Sequence, residues 1–275
     1  MLDIFGKDLA PLKEKKLFLF DMDGTIYLGS RLFDGVIELL QKIKNDGGRY
    51  VFITNNSSQS VVDYVAKLKR MGIEDVDEEN FFTSTQAAVM IMKEKFGTDL
   101  IYAQGTRSFI TELKSSGLTV TEEYTTDAKC ILVGFDREIT GEKMWNTCKM
   151  LGQDLPYYAA NPDWVCPVDF GFIPDCGWMC KGYEMATGKS PVFIGKPQPT
   201  MIEVVMKKFG VEKEKTLVIG DRIYTDIKSG LNAGVDALCV LSGEVTLDEV
   251  KESAADEKPT YTLDSVAVLL QLLKE

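Results

Sequence analysis

A Rossmann-like, doubly wound parallel α/β sheet with an inserted α/β domain is the architecture this sequence predicts, and three observations predict it. Four short apolar runs each lead straight into a polar cluster, as strands do when they deliver functional groups to one rim of a sheet. Between them lie stretches with the i, i+3, i+4, i+7 apolar spacing of core-facing helices. The interval 83–190 has strand and helix signals of its own and is too long to be a loop. Strand, helix, strand order implies parallel pairing through right-handed crossovers.

The first run, Leu17-Phe18-Leu19-Phe20, meets Asp21-Met22-Asp23-Gly24-Thr25. A strand buried on both faces that ends in two acids aims carboxylates at the carboxyl edge of the sheet, where open α/β folds bind ligands. Val36, Leu39, Leu40 and Ile43 form a helical stripe that Gly47-Gly48 ends. Tyr50-Val51-Phe52-Ile53 then leads into Thr54-Asn55-Asn56-Ser57-Ser58. In the inserted interval, Leu100-Ile101-Tyr102-Ala103, Leu118-Thr119-Val120, Cys130-Ile131-Leu132-Val133 and Tyr157-Tyr158-Ala159-Ala160 read as strands; 109–114 and 142–151 read as helices. Val192-Phe193-Ile194 precedes Gly195-Lys196-Pro197. A second stripe, Ile202, Val205, Met206 and Phe209, runs between Pro199 and Gly210. Thr216-Leu217-Val218-Ile219 ends in Gly220-Asp221-Arg222, with Asp226 close behind. The expected organisation is therefore a core of 1–82 and 191–275 around an inserted domain of 83–190, with hinges near Phe82-Thr83-Ser84 and Gly188-Lys189-Ser190.

The rim clusters together supply a nucleophile, a proton donor, a hydroxyl, an ammonium and two more acids, a set suited to phosphoryl transfer. Asp21 is ionised at neutral pH and needs no base to attack phosphorus. A protonated Asp23 can donate to the departing oxygen and then help deprotonate a water. Each part has a plainer use: the Asp pair as a solvated acidic loop, Lys196 as a solvated turn cation, Thr54, Asn55 and Asn56 as a helix cap, Asp221 and Asp226 as turn and helix-start residues. Their occurrence together favours catalysis.

The motifs Asp21 to Gly29 (DMDGTIYLG), Ile53 to Ser57 (ITNNS), Gly195 to Pro199 (GKPQP) and Gly220 to Ile227 (GDRIYTDI) resemble those of the haloacid dehalogenase (HAD) superfamily. The likeness is to the phosphatase subfamily of the N-acetylglucosamine-operon, p-nitrophenyl phosphatase and phosphoglycolate phosphatase types. Val133-Gly134-Phe135-Asp136 and Asn161-Pro162-Asp163 resemble its cap signatures, so the likeness runs over nearly the whole chain in the expected order. It implies a Mg²⁺-dependent phosphatase of small phosphomonoesters (sugar phosphate, nucleoside monophosphate, phosphoglycolate or pyridoxal phosphate) acting through an aspartyl-phosphate, with the inserted domain as a cap. By the same resemblance Asp21 is the nucleophile and Asp23 the acid and base. Thr54, with amides near Asn55 and Asn56, holds the phosphoryl group, and Lys196 neutralises charge. Asp21, the Asp23 backbone carbonyl and Asp221 bind the metal, with Asp226 beside it or reaching it through water. A hard cation suits this set, because several carboxylates facing a phosphate dianion repel each other and it. A binding or regulatory module that has lost turnover, and a phosphotransferase or phosphomutase using the same site, remain as alternatives.

With 275 residues, 45% of them hydrophobic, the chain is long enough for two cores. A net charge of −11 argues against nucleic acid and anionic membranes, and no run approaches bilayer-spanning length. No secretory leader is evident, so the expected setting is cytoplasmic, where the six cysteines stay reduced. The absence of histidine excludes Ser-His, Cys-His and His-zinc catalysis and leaves proton transfer to another group. The stretch 161–178, with Asp163, Trp164, Asp169, Phe170, Asp175 and Trp178, is the candidate reader of the substrate. For Trp164 and Trp178, simple packing of the cap or of a dimer contact has the same weight as substrate reading, and a homodimer through the cap is left open.

Overall fold

The computed structural model describes residues 1–168 and 170–275; Asp169, expected within the substrate-reading stretch, lies outside the described residues. In chain order, β1 (Leu17–Phe20) is followed by a small antiparallel hairpin of β2 (Tyr27–Leu28) and β3 (Arg31–Leu32), then α1 (Val36–Asn45), β4 (Arg49–Thr54), α2 (Val61–Arg70) and β5 (Phe81–Thr83). Next come α3 (Ser84–Phe96), β6 (Leu100–Gln104), α4 (Arg107–Ser115), β7 (Thr119–Thr121), β8 (Cys130–Val133), α5 (Gly141–Leu151) and β9 (Tyr157–Ala159). An antiparallel pair, β10 (Val165–Val168) and β11 (Gly171–Pro174), precedes α6 (Cys176–Thr187) and β12 (Val192–Phe193). The chain ends with α7 (Thr200–Phe209), β13 (Thr216–Gly220), α8 (Lys228–Ala233), β14 (Asp236–Val240), α9 (Leu247–Glu252), β15 (Tyr261–Leu263) and α10 (Val266–Lys274).

These elements form two compact units: Met1–Thr54, Val65–Phe82 and Lys196–Glu275 make the first, Asn55–Tyr64 and Thr83–Gly195 the second. The first holds a six-stranded sheet of order β15-β14-β13-β1-β4-β5, parallel from β15 through β4. From β1 the chain builds outward on one side through β4, and later on the other through β13, β14 and β15. The order therefore reverses between β1 and β13, where Phe20 pairs with Ile219, and ligands of doubly wound sheets bind beyond the carboxyl ends at such a point. All four residues of β1 are buried, as a central strand covered on both faces requires. The α1 stripe of Val36, Leu39, Leu40 and Ile43 is buried, as its spacing predicts.

The second unit is built on a five-stranded parallel sheet of order β12-β9-β8-β6-β7. Its core gathers Tyr102, Ile131, Val133, Phe135, Met150, Tyr157 and Met179. Two expectations are corrected here. The run 192–194 is not a strand of the core sheet: β12 pairs with β9, and Ile194 and Gly195 extend that ladder by donating their N–H groups to Ala159 and Ala160 at 3.0 and 2.8 Å. The chain thus joins the first unit at Lys196 and not at 191. Residues 55–64 also group with the second unit and not the first. Ser84 Oγ donates to the Asn55 carbonyl (2.7 Å), Thr106 Oγ1 to the Ser58 carbonyl (3.0 Å), and the Phe135 N–H to Ser57 Oγ (2.8 Å). Gly188, expected at a hinge, ends α6 in the left-handed conformation. Among the described residues no helix is long and apolar enough to cross a membrane.

Candidate active site

Lys196 organises the carboxyl rim of the first unit's sheet. Its ammonium donates to Asp21 Oδ1 and Asp226 Oδ1, both at 2.5 Å, and to the Ile53 carbonyl at 3.1 Å. It thereby links the ends of β1 and β4 with the segment after β13. Three of the four sequence clusters meet on this one nitrogen, and the fourth supplies the nitrogen. The side chain is only 4% exposed, so these bonds form in low dielectric and are charge-assisted. Asp226 is brought back to the rim by a wide turn over Ile223–Ile227, in which the N–H groups of Asp226 and Ile227 both bond the Arg222 carbonyl. Its other oxygen, Oδ2, accepts from the Arg222 N–H at 3.1 Å. Gly220 makes the approach possible, since a Cβ there would overlap the Asp226 carboxylate.

Asp221 sits in a cradle built by Thr25, which ends the first cluster, and by the loop 242–245, which no motif includes. Thr25 Oγ1 donates to Oδ1 at 3.2 Å and the Glu244 N–H donates to Oδ2 at 2.7 Å. The Val245 N–H bonds the Asp221 carbonyl, and Ser242 Oγ bonds the Gly24 carbonyl. A Cβ at Gly24 or Gly243 would collide with the Asp221 carboxylate. The loop 242–245 is therefore part of the site, and Arg222 closes it by pairing with Glu244 at 2.8 Å. No sequence signal marks this loop beyond a Gly after a strand end.

Asp23 lies on the turn after β1, half-buried, and its Oδ2 accepts a hydrogen bond from the Tyr27 hydroxyl at 3.1 Å. Burial raises its pKa, against the pull of Lys67 and the Tyr27 bond, so the carboxyl holds a proton more readily than an exposed aspartate. Thr54, the last residue of β4, is buried beside the carbonyl that receives Lys196. Asn55 and Asn56, expected on the substrate, bond within the second unit: Asn55 Nδ2 donates to Asp163 at 3.2 Å and Asn56 Nδ2 to Cys166 Sγ at 3.6 Å. Asn56 Oδ1 also accepts from the Ser58 N–H and hydroxyl. The cap of α2 falls to Ser60, which exchanges bonds with Asp63.

Asp21, Asp221 and Asp226 bring carboxylate oxygens within 4.8 Å of one another. Burial, then Asp226, pushes the Asp221 pKa up to about 7, and burial followed by the same neighbour raises Asp21 against the pull of Lys196. Burial alone would lower the Lys196 pKa, but Asp21 and Asp226 hold it above its ordinary value. One ammonium thus faces a cluster of three acids, in which burial and the neighbouring Asp226 oppose ionisation of Asp21 and Asp221. An all-oxygen set with excess negative charge fits a hard divalent cation such as Mg²⁺. Asp226 accepts from Lys196 and Arg222, and Asp221 from Thr25 and the Glu244 N–H, but each bonded carboxylate oxygen keeps a second lone pair, so all three acids are candidate ligands. The Asp23 carboxylate lies outside this cluster, and its expected share is a backbone carbonyl.

A stability measurement follows. Between about pH 4, the ordinary carboxylate value, and about 7, folded protein keeps an Asp221 proton that unfolded chain releases. Metal-free stability therefore falls as pH rises through that window, because folding must then bury the charge. Asp221→Asn should be more stable than wild type by denaturant titration in EDTA at pH 8 and lose that advantage at pH 4. Equal stabilities at pH 8 would contradict the crowding.

The description "Haloacid dehalogenase-like hydrolase" matches residues 18–119, and "HAD-hydrolase-like" matches 193–269. An acid sugar phosphatase of Staphylococcus haemolyticus is 31% identical over 264 residues, covering 96% of this chain and 98% of the relative. The crystal structure of a 4-nitrophenylphosphatase from Thermotoga maritima superposes with a TM-score of 0.90 at 35% identity, over 96% of this chain and 99% of that one. A glycerol phosphate phosphatase from Mycobacterium tuberculosis, solved in complex with magnesium, gives 0.88 at 25% identity, over 96% and 79%. The chain belongs to the haloacid dehalogenase-like hydrolases and is one of their phosphatases, acting on small phosphoesters.

Proposed function

We propose that this phosphatase is Mg²⁺-dependent and hydrolyses small phosphomonoesters of phosphorylated metabolites, in the cytoplasm, through an aspartyl-phosphate on Asp21. The observation that carries the reading is the convergence of Asp21, Asp226 and the Ile53 carbonyl on Lys196, with an Asp221 oxygen within 4.8 Å of the other two acids. An Asp21 oxygen attacks phosphorus, the ester P–O bond breaks, and the leaving oxygen takes the Asp23 proton. Asp23, now a carboxylate, accepts a proton from water as that water attacks the same phosphorus, which returns Asp21 and releases inorganic phosphate. Lys196 balances charge on Asp21 throughout, and the Thr54 hydroxyl donates to a phosphoryl oxygen. A divalent cation held by Asp21, Asp221 and the Asp23 carbonyl supplies neutralisation of the substrate dianion. Asn55 and Asn56 engage the second unit with their side chains, and we assign those side chains no bond to substrate. Selection of the leaving group is assigned to the second unit, in the manner of a family cap.

A phosphate-release screen over phosphorylated sugars, nucleoside monophosphates, glycerol phosphate, phosphoglycolate and pyridoxal phosphate tests this. Purified protein with Mg²⁺ should release phosphate from at least one member, EDTA should lower the rate by at least about 100-fold, and added Mg²⁺ should restore it. Binding without release across the panel would favour a phosphometabolite-binding module.

A further inference from the structure

The Tyr27 hydroxyl bonds the proposed proton donor, Asp23, and belongs to no step above. Tyr27 is 0% exposed, and its hydroxyl reaches back four residues to Asp23 Oδ2 at 3.1 Å. Its backbone is tied to the same turn: the Gly24 N–H donates to the Tyr27 carbonyl at 2.8 Å, and Asp23 and Tyr27 form an isolated bridge. The Lys67 ammonium, on α2, stands 3.8 Å from the centre of the Tyr27 ring, on its face. The ring is therefore held by the backbone on one side and by a cation on another.

We propose that Tyr27 is the positioning residue for proton transfer by Asp23, with Lys67 steadying its ring. The proposal rests on Asp23 being the proton donor to the leaving group. An aspartate on a turn has several rotamers, and a proton donor must be held to within about half an ångström of its working position. A hydrogen bond from a ring that is itself fixed selects one rotamer. It also occupies Oδ2 as acceptor, which makes Oδ1 the atom that carries and returns the proton. A merely structural Tyr27, tethering the turn to β2, would affect every substrate alike.

The leaving group separates the two roles. 4-Nitrophenolate departs without a proton, whereas an alkoxide must be protonated as it leaves. The experiment measures kcat/KM at saturating Mg²⁺ for 4-nitrophenyl phosphate and for the alkyl phosphomonoester turned over fastest in the screen. Tyr27→Phe keeps the ring and loses the hydroxyl. It should lower the alkyl-to-aryl ratio of kcat/KM by about tenfold or more. In an Asp23→Asn background the same change should not move the ratio further. An equal loss on both esters, or an undiminished effect beside Asp23→Asn, overturns the proposal. Should Tyr27→Phe fail to melt cooperatively, Lys67→Met, on a half-buried side chain, replaces it and should lower the ratio about threefold; an unchanged ratio there overturns the proposal equally. Failure of wild type to release phosphate from any ester is a different result, which removes the underlying phosphatase chemistry and this proposal with it.

Discussion

Asp21→Asn should leave the protein folded and lower kcat for 4-nitrophenyl phosphate by at least about 10⁴-fold. The substitution keeps the shape of the side chain, but an amide does not attack phosphorus. Asp21 is one of three crowded acids, and Lys196 keeps Asp226 as a partner when the Asp21 charge is removed. Metal-free Asp21→Asn should therefore melt no lower than wild type at pH 8, which separates loss of chemistry from loss of fold. Calorimetry on the same samples used for kinetics checks both halves. Retention of more than about a tenth of the activity would exclude a covalent route through Asp21. Melting well below wild type would mean that the Asp21 ion pair is worth more than the repulsion it brings.

The parts of this site legible in the sequence are those that follow directly on a strand. Asp21 comes one residue after β1 and Asp221 one residue after β13, so an apolar run and the acid ending it are read together. Lys196 reaches the rim by another route than a core strand. Its preceding run has the composition of a core strand, yet its backbone groups pair with β9 of the other sheet. Composition says that a segment is buried in a sheet; it does not say in which one. The same limit applies to 55–64, whose side with the second unit is set by hydrogen bonds from Ser84, Thr106 and Phe135, remote in sequence. The α3 helix is not legible in the sequence although Thr83 and Gln86 form a reciprocal cap at its start, because a cap pair without a clear apolar stripe behind it resembles any polar turn.

Tyr27, Ser242, Gly243 and Glu244 were illegible for another reason. Their contributions are a hydroxyl, an N–H or the lack of a Cβ, and such groups become specific only once the fold has set what lies opposite. Glu244 acts on Asp221 through its backbone N–H, which every residue except proline carries. Asn55 and Asn56 show the converse. Their position after β4 suggests contact with substrate, while their amides serve Asp163 and Cys166.

Lys196→Met is the change expected to cost both stability and activity. The ammonium is 4% exposed and bonds Asp21 and Asp226, so replacing it with a thioether of similar length leaves the cluster of three acids without that cation. Breaking a buried ion pair from one side costs about 3–5 kcal/mol, chiefly through the charge left behind. The cost has a defined pH dependence. Without Lys196 the folded-state carboxylates hold their protons to higher pH, whereas unfolded aspartates release theirs near pH 4. The deficit relative to wild type should be small near pH 4 and larger at pH 8. Lys196 itself contributes stability throughout this range, since its raised folded-state pKa delays any loss to pH above the ordinary lysine value. Urea titrations in EDTA at pH 4 and pH 8 measure the deficit directly. Activity with Mg²⁺ should fall by about 10³-fold, because the group balancing charge on the nucleophile is gone. A variant as stable as wild type at pH 8, or a deficit independent of pH, would mean that the acids are relieved by solvent and not by Lys196.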